Sequence, residues 1–70
     1  MKGYVTEVKL DKGFGFVRGT DGISRFAHAS QFLPRSWFDL AKEGDRVEFE
    51  SAPGRPGKGS ELRAINIRQL

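Results

Sequence analysis

The sequence predicts an all-β fold, a small closed barrel of five antiparallel strands. Five short runs rich in β-branched and aromatic residues are separated by turn-forming Asp, Gly and Pro, and no stretch sustains a helical repeat. A chain of 70 residues cannot divide its apolar surface between two cores, so a single domain over residues 1–70 is expected. Without cysteine it must hold together by packing and backbone pairing alone.

Tyr4-Val5-Thr6-Glu7-Val8-Lys9-Leu10 reads as the first strand and stops at the turn Asp11-Lys12-Gly13. Val5 and Val8 fall on opposite faces of an ideal two-residue repeat, which calls for a bend or bulge, expected near Gly3. Phe14-Gly15-Phe16-Val17 forms the second strand. It closes at Gly19-Thr20-Asp21-Gly22, where Asp-Gly tolerates the positive φ that a tight hairpin requires. Residues 23–29 make the third strand. Ser30-Gln31-Phe32-Leu33-Pro34 reads as one capped helical turn ended before the proline, and Arg35-Ser36-Trp37-Phe38 as a loop carrying two large aromatics. After the turn at Glu43-Gly44-Asp45, Arg46-Val47-Glu48-Phe49-Glu50 alternates cleanly, with Val47 and Phe49 inward. Residues 52–60 are rich in Gly and Pro and read as a flexible basic loop; residues 62–68 supply the last strand. Closure of such a sheet removes edges that would otherwise template aggregation. Among small barrels the OB-fold, the oligonucleotide-binding type, fits best, with the SH3-like barrel as the alternative of equal strand number.

Twelve Lys+Arg against nine Asp+Glu leave a formal charge of +3, which favours an anionic partner. The charge is uneven: Arg55, Lys58, Arg63 and Arg68 face only Glu61 in the C-terminal stretch, whereas Asp39, Glu43, Asp45, Glu48 and Glu50 outnumber Lys42 and Arg46 before it. No apolar stretch approaches the roughly 20 residues that span a bilayer. Met1-Lys2-Gly3 runs directly into a strand pattern, so no signal peptide is expected. A cytoplasmic protein without a membrane partner is expected.

Chemistry concentrates in Lys12-Gly13-Phe14-Gly15-Phe16-Val17 and Arg25-Phe26-Ala27-His28-Ala29-Ser30. Residues two apart in a strand share a face, so Phe14 projects with Phe16 and Phe26 with His28, and a hairpin at Asp21-Gly22 gathers all four rings. One reading makes these rings core residues, because Gly15 leaves the other side of its strand nearly bare. Against it, Val5, Val8, Val17, Ile23, Val47, Phe49, Leu62, Ile65 and Ile67 already furnish a small core. Exposed rings flanked by Lys12, Arg25 and a basic loop suit single-stranded nucleic acid, whose bases offer π-faces and whose phosphates offer charge.

Other chemistries find little support. His28 and Ser30 lie too close on one strand for a catalytic triad. Residues 54–60 lack the G-x-x-x-x-G-K-[ST] spacing of a phosphate loop. One histidine without cysteine builds no zinc site, and no acidic run has calcium-loop spacing. The expectation is therefore a binding protein, not an enzyme, with no cofactor, metal or small-molecule substrate.

The two aromatic segments resemble the two ribonucleoprotein motifs of the cold-shock domain. The resemblance continues through Gly3-Tyr4-Val5, Asp21-Gly22, Leu40, Glu43-Gly44, Val47, Phe49 and Ala64-Ile65-Asn66-Ile67. It implies a five-stranded barrel that binds single-stranded RNA or DNA with weak pyrimidine preference and helps to melt RNA structure. Carried over by position, Lys12, Phe14, Phe16, Phe26, His28, Trp37 and Arg55 contact the strand, and Lys58 joins Arg55 in facing phosphates. The chain departs from the family at Glu7, where members place tryptophan, at Val8, where they place phenylalanine, and at Ala29, a further aromatic position. Three lost platforms at about 1 kcal/mol each imply affinity about two orders of magnitude below that of a full-complement relative. The competing expectation is a protein-interaction module that keeps the barrel and has lost much of its strand-binding face.

Overall fold

The computed structural model describes residues 1–54 and 62–70. Its strands are β1 (Lys2–Lys9), β2 (Phe14–Gly19), β3 (Ser24–His28), β4 (Phe32–Leu33), β5 (Arg46–Pro53) and β6 (Leu62–Gln69). They run in the order β3-β2-β1-β5-β6-β4, and a further pairing of β3 with β6 closes the five long strands into a barrel, the architecture of an OB-fold. The pairs β1–β2, β2–β3, β1–β5 and β5–β6 are antiparallel, whereas β3 and the two-residue β4 meet β6 in parallel. Short 3₁₀ turns at Leu10–Lys12, Ala29–Gln31 and Arg35–Leu40 take the place of longer helices. Among the described residues no helix is long and apolar enough to cross a membrane.

The irregularity expected in β1 lies at Thr6 and not near Gly3. Val5 pairs with Val17 and Glu7 with Phe16, so Thr6 is an extra residue on the β1 side, and its hydroxyl donates to the Phe16 carbonyl at 3.2 Å. A bulge of this kind shifts the alternation by one residue. It lets Val5 and Val8 both turn inward, Val5 into the core and Val8 packed against it, while Glu7 and Lys9 turn out. β6 carries a comparable insertion. Glu48 pairs with Arg68 and Glu50 with Ile65, and Asn66 lies between them at φ 51° with its side-chain amide donating to Glu50.

Val5, Val17, Val47, Phe49 and Ile67 fill the barrel, as the alternation predicts. Three other expected members do not: Ile23 is 47% exposed in the hairpin loop, and Leu62 and Ile65 are half-buried. Their volume is supplied by Phe32, Trp37 and Phe38. The Phe32 ring lies 5.3 Å from that of Trp37 and 5.0 Å from that of Phe38. The 3₁₀ geometry of Arg35–Leu40 turns the two consecutive aromatics inward together, where an extended loop would have splayed them.

Arg25 is also inside. Sequence reasoning placed it at the surface beside the aromatic rings, yet it follows the inward phase of Val17, its pairing partner, and is 2% exposed. Its guanidinium meets both carboxylate oxygens of Asp21, at 3.0 and 2.6 Å, and donates to the Ile23 carbonyl and the Ser51 hydroxyl. It also lies 5.3 Å from the Phe49 ring centroid. This fork ties the β2–β3 hairpin to β5, and no buried side-chain nitrogen or oxygen among the described residues lacks a partner.

Two outcomes follow. The hydrogen bonds from Arg25 and from the Ile23 N–H hold the Asp21 carboxyl down at about 2 from its ordinary 3.8. The stabilisation is therefore complete above pH 3.8 and is lost as the pH falls toward 2. Thermal melts across this range should show a drop in Tm for the wild type that is blunted in Asp21→Asn, which should itself melt several degrees lower at neutral pH; parallel curves would refute the assignment. Second, a Cβ at Gly15 would run into the Glu7 carbonyl oxygen, so Gly15→Ala should lower stability in urea unfolding by roughly 1–3 kcal/mol.

Candidate nucleic-acid interface

The outward phases of β1, β2 and β3 assemble one face. Lys9 lies opposite Phe14, which lies opposite His28; Glu7 lies opposite Phe16, which lies opposite Phe26. Directly paired residues point to the same side of a sheet, so these form two adjoining rows, Lys9-Phe14-His28 and Glu7-Phe16-Phe26. At its closing edge the second row meets Arg63 of β6. Gly15 allows β1 to approach β2 beneath the rings.

The phenylalanines are half-buried and His28 is exposed. Phe14 and Phe26 lie 5.2 Å apart at 33°, while Phe16 stands edge-on to both, at 5.9 and 6.0 Å. His28 adjoins Phe26 at 6.4 Å. Edge-to-face packing lets each ring brace its neighbours while faces remain open to solvent. His28 is braced differently. Its Nδ1 accepts the Ser30 backbone N–H at 3.1 Å and caps the Ala29–Gln31 turn, with the Ser30 hydroxyl at 2.8 Å. A backbone N–H only donates, so in the neutral ring the hydrogen sits on Nε2, which becomes a donor.

Electrostatically the face is mixed. Glu7 forms an exposed ion pair with Lys9 at 3.6 Å, an interaction worth at most about 1 kcal/mol and easily exchanged for a ligand contact. Lys12 is exposed at the end of the Leu10–Lys12 turn, just before the left-handed Gly13 and Phe14. Arg63 donates through Nε to the Pro53 carbonyl at 3.0 Å, which fixes its guanidinium at the rim. Beyond the Lys9-Phe14-His28 row, Leu10, Gly13, Ala29, Arg35 and Phe38 line an open cleft of about 350 Å³.

Of the residues singled out from the sequence, Phe14, Phe16, Phe26 and His28 are thus brought together, with Lys12 on the turn that leads into the face. Trp37 does not join them. It is 8% exposed and packs on Phe32, so its ring belongs to the core and not to the exposed row the sequence reading gave it. Arg55 and Lys58 lie outside the described residues. Sequence reasoning missed Lys9 and Arg63: the bulge at Thr6 sets the phase of Lys9, and the parallel β3–β6 closure, which no local pattern announces, places Arg63. The three departures at Glu7, Val8 and Ala29 also divide. Val8 packs against the core, and Ala29 is 6% exposed and lines the floor of the cleft, whereas Glu7 stands in the exposed row beside Phe16. Among the described residues no group of three or more His, Cys, Asp or Glu is placed to hold a metal ion.

Comparison with known proteins agrees with this geometry. The sequence model of the 'Cold-shock' DNA-binding domain matches residues 1–70. The chain is 35% identical over 69 residues to the major cold shock protein of Streptococcus pyogenes serotype M6, covering 99% of this chain and 96% of that protein. It is 33% identical over 70 residues to the cold shock-like protein CspC of Bacillus cereus, covering 100% of both. To cold shock protein 2 of Lactiplantibacillus plantarum it is 36% identical over 55 residues, 79% of this chain and 82% of that protein. A five-stranded barrel with its rings gathered on β2 and β3, matched along its whole length, places this chain in the cold-shock domain family of nucleic-acid-binding proteins.

Proposed function

We propose that the protein binds single-stranded RNA or DNA on the β1–β3 face, stacking bases on Phe14, Phe16, Phe26 and His28, without catalysing a reaction. The observation that carries this reading is that three phenylalanines stay half-exposed on one face although the barrel is already filled by Phe32, Trp37, Phe38 and Phe49. Rings not needed to fill the core are available to bases, at about 1–3 kcal/mol per stacked base. Lys9, Lys12 and Arg63 supply positive charge around the rings. Arg55 and Lys58 extend the phosphate contacts in this proposal on the strength of sequence alone. His28 Nε2 offers a hydrogen to a phosphate or a base carbonyl.

Glu7 tunes this site. Opposite Phe16 it brings a carboxylate where a ring would add stacking, and a carboxylate accepts from the exocyclic amine of cytosine but finds no such donor on thymine. Val8 packs against the core and Ala29 is buried in this chain, so of the three departures Glu7 is the one whose side chain stands among the exposed rings. Stacking unpaired bases stabilises open strands, so the protein shifts RNA hairpin equilibria without a motor, as an RNA chaperone or as a regulator of transcription or translation. The whole chain acts as one module, at a cytoplasmic address.

Anisotropy of a labelled oligo-dT should report salt-sensitive binding that weakens roughly tenfold in Phe16→Ala, with little binding of a matched duplex. An unaffected Phe16→Ala variant would contradict the stacking site, and failure to bind any single strand would point to a protein partner. In the same assay Glu7→Trp should bind oligo-dT more tightly and lose preference for oligo-dC. Unchanged or weaker binding would remove Glu7 from the site.

A further inference from the structure

We infer that the strand-binding face continues one row further, onto Tyr4 and the two arginines that flank it, and that this row holds an additional base and its phosphate. This rests on the single-strand reading above. On the outer surface Tyr4 of β1 lies opposite Arg18 of β2 on one side and opposite Arg46 of β5 on the other. Arg18 is two residues beyond Phe16 and so shares its face. The result is a row, Arg46-Tyr4-Arg18, that adjoins Glu7-Phe16-Phe26 and continues to Ser24, the partner of Arg18.

The chemistry of this row is that of a nucleotide subsite. Tyr4 is 42% exposed, and both arginines are exposed. Ion pairs among the described residues involve Lys9 and Arg25 and leave Arg18 and Arg46 without one. The nearby carboxylates are engaged elsewhere, and among the described residues none lies within ion-pair distance of either guanidinium. Asp21 is held by Arg25, Glu7 by Lys9, and Asp45 accepts the Lys42 N–H. Glu48, in the next row, sits between Lys2 and Arg68. An open aromatic ring between two unpaired guanidinium forks offers a base its π-face and a phosphate its bidentate donors. Adjacent rows are about 7 Å apart along the strand, twice the ~3.4 Å stacked rise of a nucleic-acid strand. Bases on successive rows are therefore splayed out of their stack, the form in which single strands are read. The strand thus turns off the β1–β3 surface toward β5 instead of ending at Phe16.

Anisotropy titrations of the full chain with oligo-dT of increasing length test this, using wild type, Tyr4→Ser, Tyr4→Phe, the Arg18→Gln/Arg46→Gln double variant, and Phe16→Ala as reference. Melting temperature serves as the check on folding. For oligomers long enough to pass beyond the phenylalanine rows, Tyr4→Ser should bind at least about fivefold more weakly. Tyr4→Phe should retain binding, and the double arginine variant should show a shallower dependence on salt. The shortest bound oligomers should not distinguish Tyr4→Ser from wild type. Equal affinity of wild type and Tyr4→Ser at every length, with Phe16→Ala still defective, would overturn this extension and leave the stacking face intact. Absence of binding by the wild type would remove both.

Discussion

The extra residue at Thr6 decides which side chains of β1 reach solvent. A regular strand would put Val5 and Val8 on opposite faces. With the insertion both turn inward, and Glu7 and Lys9 emerge beside Phe16 and Phe14. Because a one-residue change of phase inverts every later side chain in a strand, the composition of the exposed face depends on this bulge. Gly15 then lets the β1 backbone come close to β2, so that Glu7 and Lys9 stand beside the aromatic rows and not apart from them.

Phenylalanines can remain at the surface only if something else fills the barrel. The segment between β3 and β5 does this with Phe32, Trp37 and Phe38, folded inward by 3₁₀ turns. On the other side of the interior a buried cation takes the space an aliphatic residue would occupy. Arg25 has its charge matched by Asp21, its donors met by Asp21, Ile23 and Ser51, and the Phe49 ring nearby. Burying a cation is costly unless it is paired and hydrogen-bonded in this way. The same fork ties down the hairpin that joins β2 to β3, the two strands bearing the rings, so interior packing and the exposed aromatic rows meet in one connection.

Much of this was legible in the chain itself. The five long strands, the Asp21-Gly22 hairpin and the sharing of one face by Phe14, Phe16, Phe26 and His28 follow from two-residue alternation and turn chemistry, which are local. What escaped is non-local or depends on small departures from regularity. Trp37 reads as a loop aromatic because nothing in Arg35-Ser36-Trp37-Phe38 declares a 3₁₀ turn that buries both rings. Arg25 reads as a surface cation because its partners, Asp21 and Ser51, converge only once β2, β3 and β5 are assembled. Ile23 reads as core by hydropathy, yet the start of β3 at Ser24 leaves it in the loop. Arg63 enters the site through parallel closure of the barrel, which no sequence pattern marks.

The proposal rests on one surface, the outward side of β1–β3 with its extension to Arg46 of β5, as the place where nucleic acid is held. Mapping amide chemical-shift changes on an isotopically labelled protein titrated with oligo-dT tests this most directly. The expected changes concentrate at Glu7, Lys9, Phe14, Phe16, Phe26 and His28, with the turn at Glu43-Gly44-Asp45 and the buried Trp37 little affected. Changes centred on residues 39–45, or scattered evenly over the barrel, would contradict it.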